Sequence, residues 1–298
     1  MSTSDKPIDF LIIGAAKAGT TSLASWLSNH PDVCMSNPKE TMFFAAPKLY
    51  ERGIDWYHQA FFSHYKDELL RGDATPAYSN RDRHPGTPQR VYASNSEAKI
   101  VYIVRNPVRK AESTWQMYAR LEFTSFHPRE HQRSCVMARK GFAEYISDPE
   151  ILSNLINVCK YHHQLIPWIS LFGKSRVHVM FLEDLESNQE LEICSLCHFL
   201  GLDSDPLKSL NLRPENTLNG YRSPRFLAIS VSKAGLHRFV PKKLKNILVQ
   251  IPLFSNARGN NPKPVWPESA LEHFKKCVEP DLKEFLYHND KPDDFYLL

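Results

Sequence analysis

One short stretch limits this chain more than any other. The apolar run Phe10-Leu-Ile-Ile13 leads into Gly14-Ala-Ala-Lys17-Ala18-Gly19-Thr20-Thr21-Ser22, and helix-compatible residues continue to about Ser28. Four successive apolar residues read as an inner strand, and the small residues after them read as a tight turn into a helix. In such a turn the backbone can approach an anion closely. The start of the helix adds unpaired N–H groups and the positive end of its dipole. A plain structural connection is the competing reading of the same residues. In either case a strand, a glycine-bounded turn and a helix commit the N-terminus to α/β architecture.

The rest of the chain continues that alternation. Ile100–Val104 and Val177–Phe181 are β-branched, apolar strands. Asn106-Pro107 caps and opens a helix, because a proline at the first helical position gives up no needed N–H. Periodicity predicts helices over Asn154–Phe172, over Glu190–Leu200 with Gly201 as a left-handed cap, and over Ser269–Tyr287 with an interruption near Pro280. The expected fold is one three-layer α/β domain over residues 1–298, a central parallel sheet with helices on both faces. The stretch 205–265, rich in Pro, Asn and Arg, is expected to be a basic lid.

Charge is informative in its distribution. The net charge is only +4, which excludes a general nucleic-acid binder, but residues 81–140 hold twelve Lys/Arg against five acids. Residues 213–245 hold eight against one. Such stretches suit a polyanionic ligand or a solvated face. Six scattered cysteines fit reduced thiols better than a disulfide framework. With no basic, apolar leader and no apolar run long enough to span a bilayer, the expectation is a cytoplasmic protein without membrane or nucleic-acid partners. Oligomeric state is not readable.

Two elements carry chemistry. Gly14 and Gly19 have the separation of a nucleotide-binding Walker A loop, but Thr20-Thr21 stands where Lys-Ser/Thr would follow, and the lysine, Lys17, lies inside the loop. A kinase or ATPase needs that lysine on the terminal phosphates and a hydroxyl on Mg²⁺, so the displaced lysine argues against one. The second element is Ile100-Val-Tyr-Ile-Val-Arg105-Asn-Pro107, with Ser113 eight residues beyond the arginine. Arg105 leaves the carboxyl end of a strand, where open α/β sheets bind ligands. There a guanidinium can hold a phosphate bidentately. Pairing with a nearby acid is the alternative.

With these residues in view, the chain resembles the sulfotransferases that use 3′-phosphoadenosine 5′-phosphosulfate (PAPS), in their bacterial and heparan-sulfate-type branch. Lys17-Ala-Gly-Thr-Thr-Ser-Leu is similar to that family's P-loop-like phosphosulfate-binding turn, and Arg105 to Ser113 resembles its 3′-phosphate site. His30-Pro-Asp-Val, Lys39-Glu40-Thr-Met-Phe43-Phe44, Gly72-Asp73-Ala74-Thr75-Pro-Ala-Tyr78, Tyr161 with Trp168, Phe181-Leu-Glu-Asp184 and Phe199-Leu-Gly201 follow in the family's order. The resemblance implies that Lys17, Ala18, Gly19, Thr20, Thr21 and Ser22 hold the 5′-phosphosulfate, and that Arg105 and Ser113 hold the 3′-phosphate. Tyr161 would contact the adenine, and Arg222 and Arg225 would fold over the 3′-phosphate. Lys17 would also stabilise the leaving phosphate, and Glu40 would be the base, with Asp73 or a histidine in reserve. The donor would leave as 3′-phosphoadenosine 5′-phosphate, with no metal. The acceptor would be a hydroxyl, less readily an amine, of a soluble small molecule or carbohydrate. Heparan-type enzymes typically carry lysine where Ala74 stands, which counts against a sulfated-glycan acceptor. A nucleotide-dependent kinase and a non-catalytic nucleotide-binding module are the alternatives.

Other patterns are coincidental. Cys194-Ser-Leu-Cys197-His198 matches a haem-attachment spacing but lies in an apolar helix without a secretory leader. His127-Pro-Arg-Glu130-His131 matches an inverted metalloprotease pattern, which the proline disrupts. No second ligand pair at ordered spacing points to zinc. His162-His163 is a helical pair on different faces, expected to pack or meet solvent. Trp115, Met117 and Tyr118 read as a core face rather than an acceptor pocket.

Overall fold

The computed structural model describes residues 8–121, 129–208 and 264–296. Five strands, β1 (Phe10–Gly14), β2 (Val33–Met35), β3 (Leu70–Ala74), β4 (Lys99–Val104) and β5 (Val177–Phe181), form one sheet in the order β2-β3-β1-β4-β5. Every neighbouring pair is parallel. The helices among the described residues are α1 (Thr20–Leu27), α2 (Pro47–Tyr50), α3 (Ile54–Phe61), α4 (Thr87–Ser94), α5 (Pro107–Arg120), α6 (Arg129–Lys140) and α7 (Phe142–Ser147). They continue with α8 (Pro149–Asn157), α9 (Tyr161–Phe172), α10 (Leu182–Ser187), α11 (Gln189–Leu200), α12 (Asp205–Lys208) and α13 (Glu268–His288). The parallel sheet wrapped by helices is the architecture expected from the sequence.

The chain groups into two compact units, one of residues 8–110, 156–208 and 275–296, the other of 111–121, 129–155 and 264–274. The first contains the sheet. Its core joins Phe10 and Ile12 of β1, Leu23 and Leu27 of α1, Val101 and Ile103 of β4, and Ile193, Leu196 and Leu200 of α11. In the second unit Trp115, Phe142, Trp266 and Phe274 form a chain of ring contacts 5.0–5.3 Å apart. The Trp115 indole donates to the Ala138 carbonyl at 3.0 Å, so it is the packing residue the sequence suggested. Arg133 spans Asp148, at 2.7 Å, and Glu150.

Four elements differ from expectation. β2 and β3 were not legible as strands: β2 is three residues long, and β3 is Leu-Arg-Gly-Asp-Ala, with Arg71 and Asp73 buried. The predicted helix Asn154–Phe172 is two helices, because the Asp281 carboxylate accepts the N–H groups of His162 (3.0 Å) and His163 (2.8 Å) and starts α9 afresh. Pro280, expected to interrupt the last helix, lies inside an unbroken α13, whose Phe274, Val278, Leu282, Phe285 and Leu286 are buried on both sides of it. That packing outweighs the loss of one helical hydrogen bond. Gly201 caps α11 in the left-handed conformation, as predicted. Most of the 205–265 stretch, including Arg222 and Arg225, lies outside the described residues.

Candidate active site

Strand order places the site. The chain leaves β1 towards β2 on one side of the sheet and leaves β4 towards β5 on the other. The carboxyl ends of β1 and β4 therefore flank the crevice where open parallel sheets receive ligands. Gly14 closes β1 and cannot be replaced: a Cβ there would lie 2.3 Å from the Ser79 hydroxyl and 3.1 Å from the Tyr102 ring. The Ala15 N–H is held by the Ile103 carbonyl of β4 at 2.5 Å, which ties the turn to the crevice. Lys17 takes a left-handed backbone (φ 68°), and Gly19 caps α1 with φ 98° and no side-chain cap. The first N–H groups of α1 thus open onto the turn, with no acid in its first turn to compete for an anion. Ala18, Thr20 and Ser22 are buried, and Lys17 and Thr21 are partly exposed.

The segment after β2 returns to this turn. The Lys39 ammonium donates to the Thr21 hydroxyl at 3.2 Å and to a Glu40 carboxylate oxygen at 3.1 Å. The Ser36 hydroxyl donates to the Lys39 carbonyl at 2.9 Å and steadies the segment. The Glu40 side chain remains 55% exposed beside the turn. Lys39 was quoted within a sequence motif, but its bridge between turn and carboxylate depends on two segments 18 residues apart and had no local signal.

Asp73, the reserve base, has a different setting. It is fully buried at the end of β3 and accepts from four hydroxyls: Thr41 (2.7 Å), Tyr57 (2.8 Å) and Tyr78 (2.7 Å) on one oxygen, Thr75 (2.7 Å) on the other. Burial pushes its carboxyl above the usual range, against the pull of these hydrogen bonds. Burial and the neighbouring Asp73 also push the Tyr57 and Tyr78 phenols up, which keeps them protonated as donors. The Thr41 N–H donates to Thr75 at 3.0 Å, so this cluster anchors the residue that follows Glu40. The histidine nearest in the sequence motif, His30, is 2% exposed and bonded to Asp203 and Asp32 backbone groups.

Arg105 emerges from β4 half-buried, and no carboxylate among the described residues pairs with its guanidinium. Its carbonyl accepts the Tyr161 hydroxyl at 2.5 Å. Asn106 caps α5 as the sequence predicted: its side-chain oxygen accepts from the N–H groups of Val108 (3.0 Å) and Arg109 (3.2 Å). The Asn106 N–H in turn donates to Glu183 at 2.9 Å. Tyr161 is fully buried against Tyr102 and Phe285, 6.1 and 5.6 Å away. Its hydroxyl bond braces the Arg105 backbone. Ser113 lies on α5 within the second unit. A cavity of about 370 Å³ opens at the amino ends of the strands, between Phe10, Leu70, Lys99 and Leu200, and includes none of these residues.

The carboxyl edge of this parallel sheet thus carries a glycine-bounded turn with its own lysine and, at the end of the neighbouring β4, an arginine that pairs with no carboxylate among the described residues. The sulfotransferase-domain family model matches residues 7–223, and the chain belongs to that family. It is 30% identical over 216 residues to the human bifunctional heparan sulfate N-deacetylase/N-sulfotransferase 2, which covers 67% of this chain and 22% of that protein. It is 28% identical over 194 residues to human heparan sulfate glucosamine 3-O-sulfotransferase 6, covering 64% of this chain and 52% of that protein. The matches thus span from about a fifth to about half of these relatives' length. The fold is shared with a sulfotransferase from Alicyclobacillus acidocaldarius: TM-score 0.61 and 22% identity, over 96% of this chain and 97% of that one. No described helix is long and apolar enough to cross a membrane.

Proposed function

We propose that this protein transfers a sulfuryl group from PAPS to a hydroxyl of a soluble small-molecule or carbohydrate acceptor, with Glu40 as the base. One observation carries the reading: Lys39 joins Thr21 of the turn to Glu40, which sets a solvent-accessible carboxylate beside the place where a phosphosulfate would lie. The residues present fit such a donor. The turn and the first amides of α1, with Thr20, Thr21 and Ser22, suit the 5′-phosphosulfate. Arg105, with Ser113, suits the 3′-phosphate. Tyr161, whose hydroxyl also braces Arg105, remains a candidate for the adenine contact, and Arg222 and Arg225 for covering the nucleotide.

Glu40 removes the acceptor proton as the acceptor oxygen bonds to sulfur and the bond from sulfur to the phosphate oxygen breaks. Lys17 neutralises charge growing on that leaving oxygen, a contribution concentrated in the transition state. None of these roles calls for a divalent metal. Relatives named for heparan sulfate favour a carbohydrate acceptor, while Ala74 in place of a lysine disfavours a sulfated one. Six unbridged thiols support a reducing, cytoplasmic setting.

Thermal denaturation with ligands tests the reading. Stabilisation by 3′-phosphoadenosine 5′-phosphate without Mg²⁺, followed by label transfer from PAPS to an acceptor, is expected. Preferential stabilisation by Mg·ATP would instead point to a kinase. Nucleotide binding without sulfuryl release would point to a non-catalytic module.

A further inference from the structure

Helix α13 carries Asp281, Glu284 and His288 at a spacing of three and four residues, on one helical face. Asp281 caps α9 by accepting the N–H groups of His162 and His163, which fixes the register between the two helices. The His163 side chain turns away to Asp82, 3.2 Å distant. His162 turns to the face of α13. Its Nε2 lies 3.4 Å from a Glu284 oxygen, and its ring stacks on that of His288 with centroids 5.1 Å apart. One potential ligand atom from each of His162, Glu284 and His288 lies within 4.8 Å of the others.

One of those distances already fits a coordination sphere. With metal–ligand bonds of roughly 2.0–2.1 Å, tetrahedral Zn²⁺ holds neighbouring ligand atoms about 3.3 Å apart. The His162–Glu284 pair already has that spacing. His288 is exposed on the last turn of α13, so a change of its side-chain rotamer can bring an imidazole nitrogen to the same spacing. Two imidazoles and one carboxylate suit a borderline divalent ion and leave a fourth position for water. We propose that His162, Glu284 and His288 bind Zn²⁺ and so clamp the start of α9 to α13. The clamp adjoins the seat of Arg105: His162 follows Tyr161, which holds the Arg105 carbonyl, and Phe285, beside Glu284, packs on Tyr161. The inference does not depend on the proposed reaction.

Cobalt titration of the full chain, first stripped with a chelator, is the test, because Co²⁺ reports its own ligands. The wild type is expected to take up one equivalent with the visible bands of a tetrahedral nitrogen–oxygen site. His162→Ala and His288→Ala should abolish those bands, and Glu284→Gln should weaken binding at least about tenfold. Zn²⁺ at a hundredfold excess over its dissociation constant should raise the Tm of the wild type, and not of the His162→Ala/His288→Ala double variant, by about 4–5 °C. Circular dichroism checks that these surface variants remain folded. Equal Co²⁺ binding by wild type and double variant, a thiolate charge-transfer band that marks cysteine ligands, or no tetrahedral spectrum would each overturn the proposal.

Discussion

Two carboxylates end up at the same edge of the sheet and could hardly differ more. Asp73, at the end of β3, is sealed from solvent and saturated by four hydroxyls. Glu40, on the segment after β2, is more than half exposed and tied through Lys39 to the phosphate-type turn. In the sequence both are acids within family-like motifs. Burial separates their capacities: a base must reach a proton and keep an oxygen available, whereas a buried, fully bonded carboxylate organises its surroundings. Because Thr41 bonds Asp73 and follows Glu40, the first region holds the second in place.

The comparison predicts where substitutions register. Asp73→Ala strands four hydroxyls in the interior and should lower unfolding stability by about 3–5 kcal/mol. Urea denaturation measures this, and a stable Asp73→Ala protein that is dead in catalysis would reverse the roles assigned to the two acids. Lys17→Ala should leave stability unchanged and lower kcat by roughly 10²–10³, as read by steady-state kinetics with PAPS. A change in KM alone would remove Lys17 from the chemical step. Arg105→Ala should weaken PAPS about tenfold or more through loss of a charge-assisted contact of roughly 1.5–3 kcal/mol, and spare adenosine 5′-phosphosulfate, which lacks the 3′-phosphate. Calorimetry that shows equal weakening of both would contradict the 3′-phosphate contact.

A last effect concerns a partly buried group on β5. His178 of β5 stacks on Phe199 at 5.0 Å, its Nε2 has no hydrogen-bond partner among the described residues, and burial pushes its pKa down to about 4. The unfolded histidine titrates near 6.5. The folded state therefore resists protonation, and its full contribution, present above about pH 6.5, is lost as pH falls towards 4. His178→Leu should remove about 3 kcal/mol of acid-induced destabilisation across that window. Denaturant midpoints at several pH values give the answer, and an unchanged pH dependence would exclude His178 as its source.

Local pattern decided what was legible. β1, the turn and α1 combine an apolar run, small residues and a helix start, so neighbours in sequence carry the whole signal. Arg105 and the Asn106 cap were visible for the same reason. β3 was hidden because its polar residues are satisfied in large part by distant partners. Arg71 lies over the Tyr65 ring at 4.0 Å, Asp73 collects hydroxyls from three other segments, and a Cβ on Gly72 would sit 2.2 Å from Phe10. The Lys39 bridge and the break before α9 likewise depend on contacts across 18 and 119 residues. For Tyr161, only tertiary packing reveals that its hydroxyl holds the Arg105 carbonyl from within the core.

Glu40→Gln tests the central claim most directly, because it keeps the shape of the side chain and removes the basic oxygen. Turnover of the true hydroxyl acceptor should fall by roughly 10²–10⁴, with PAPS affinity and unfolding stability at wild-type values. Near-normal kcat in Glu40→Gln, with the same acceptor, would show that the exposed carboxylate beside the turn is not the base.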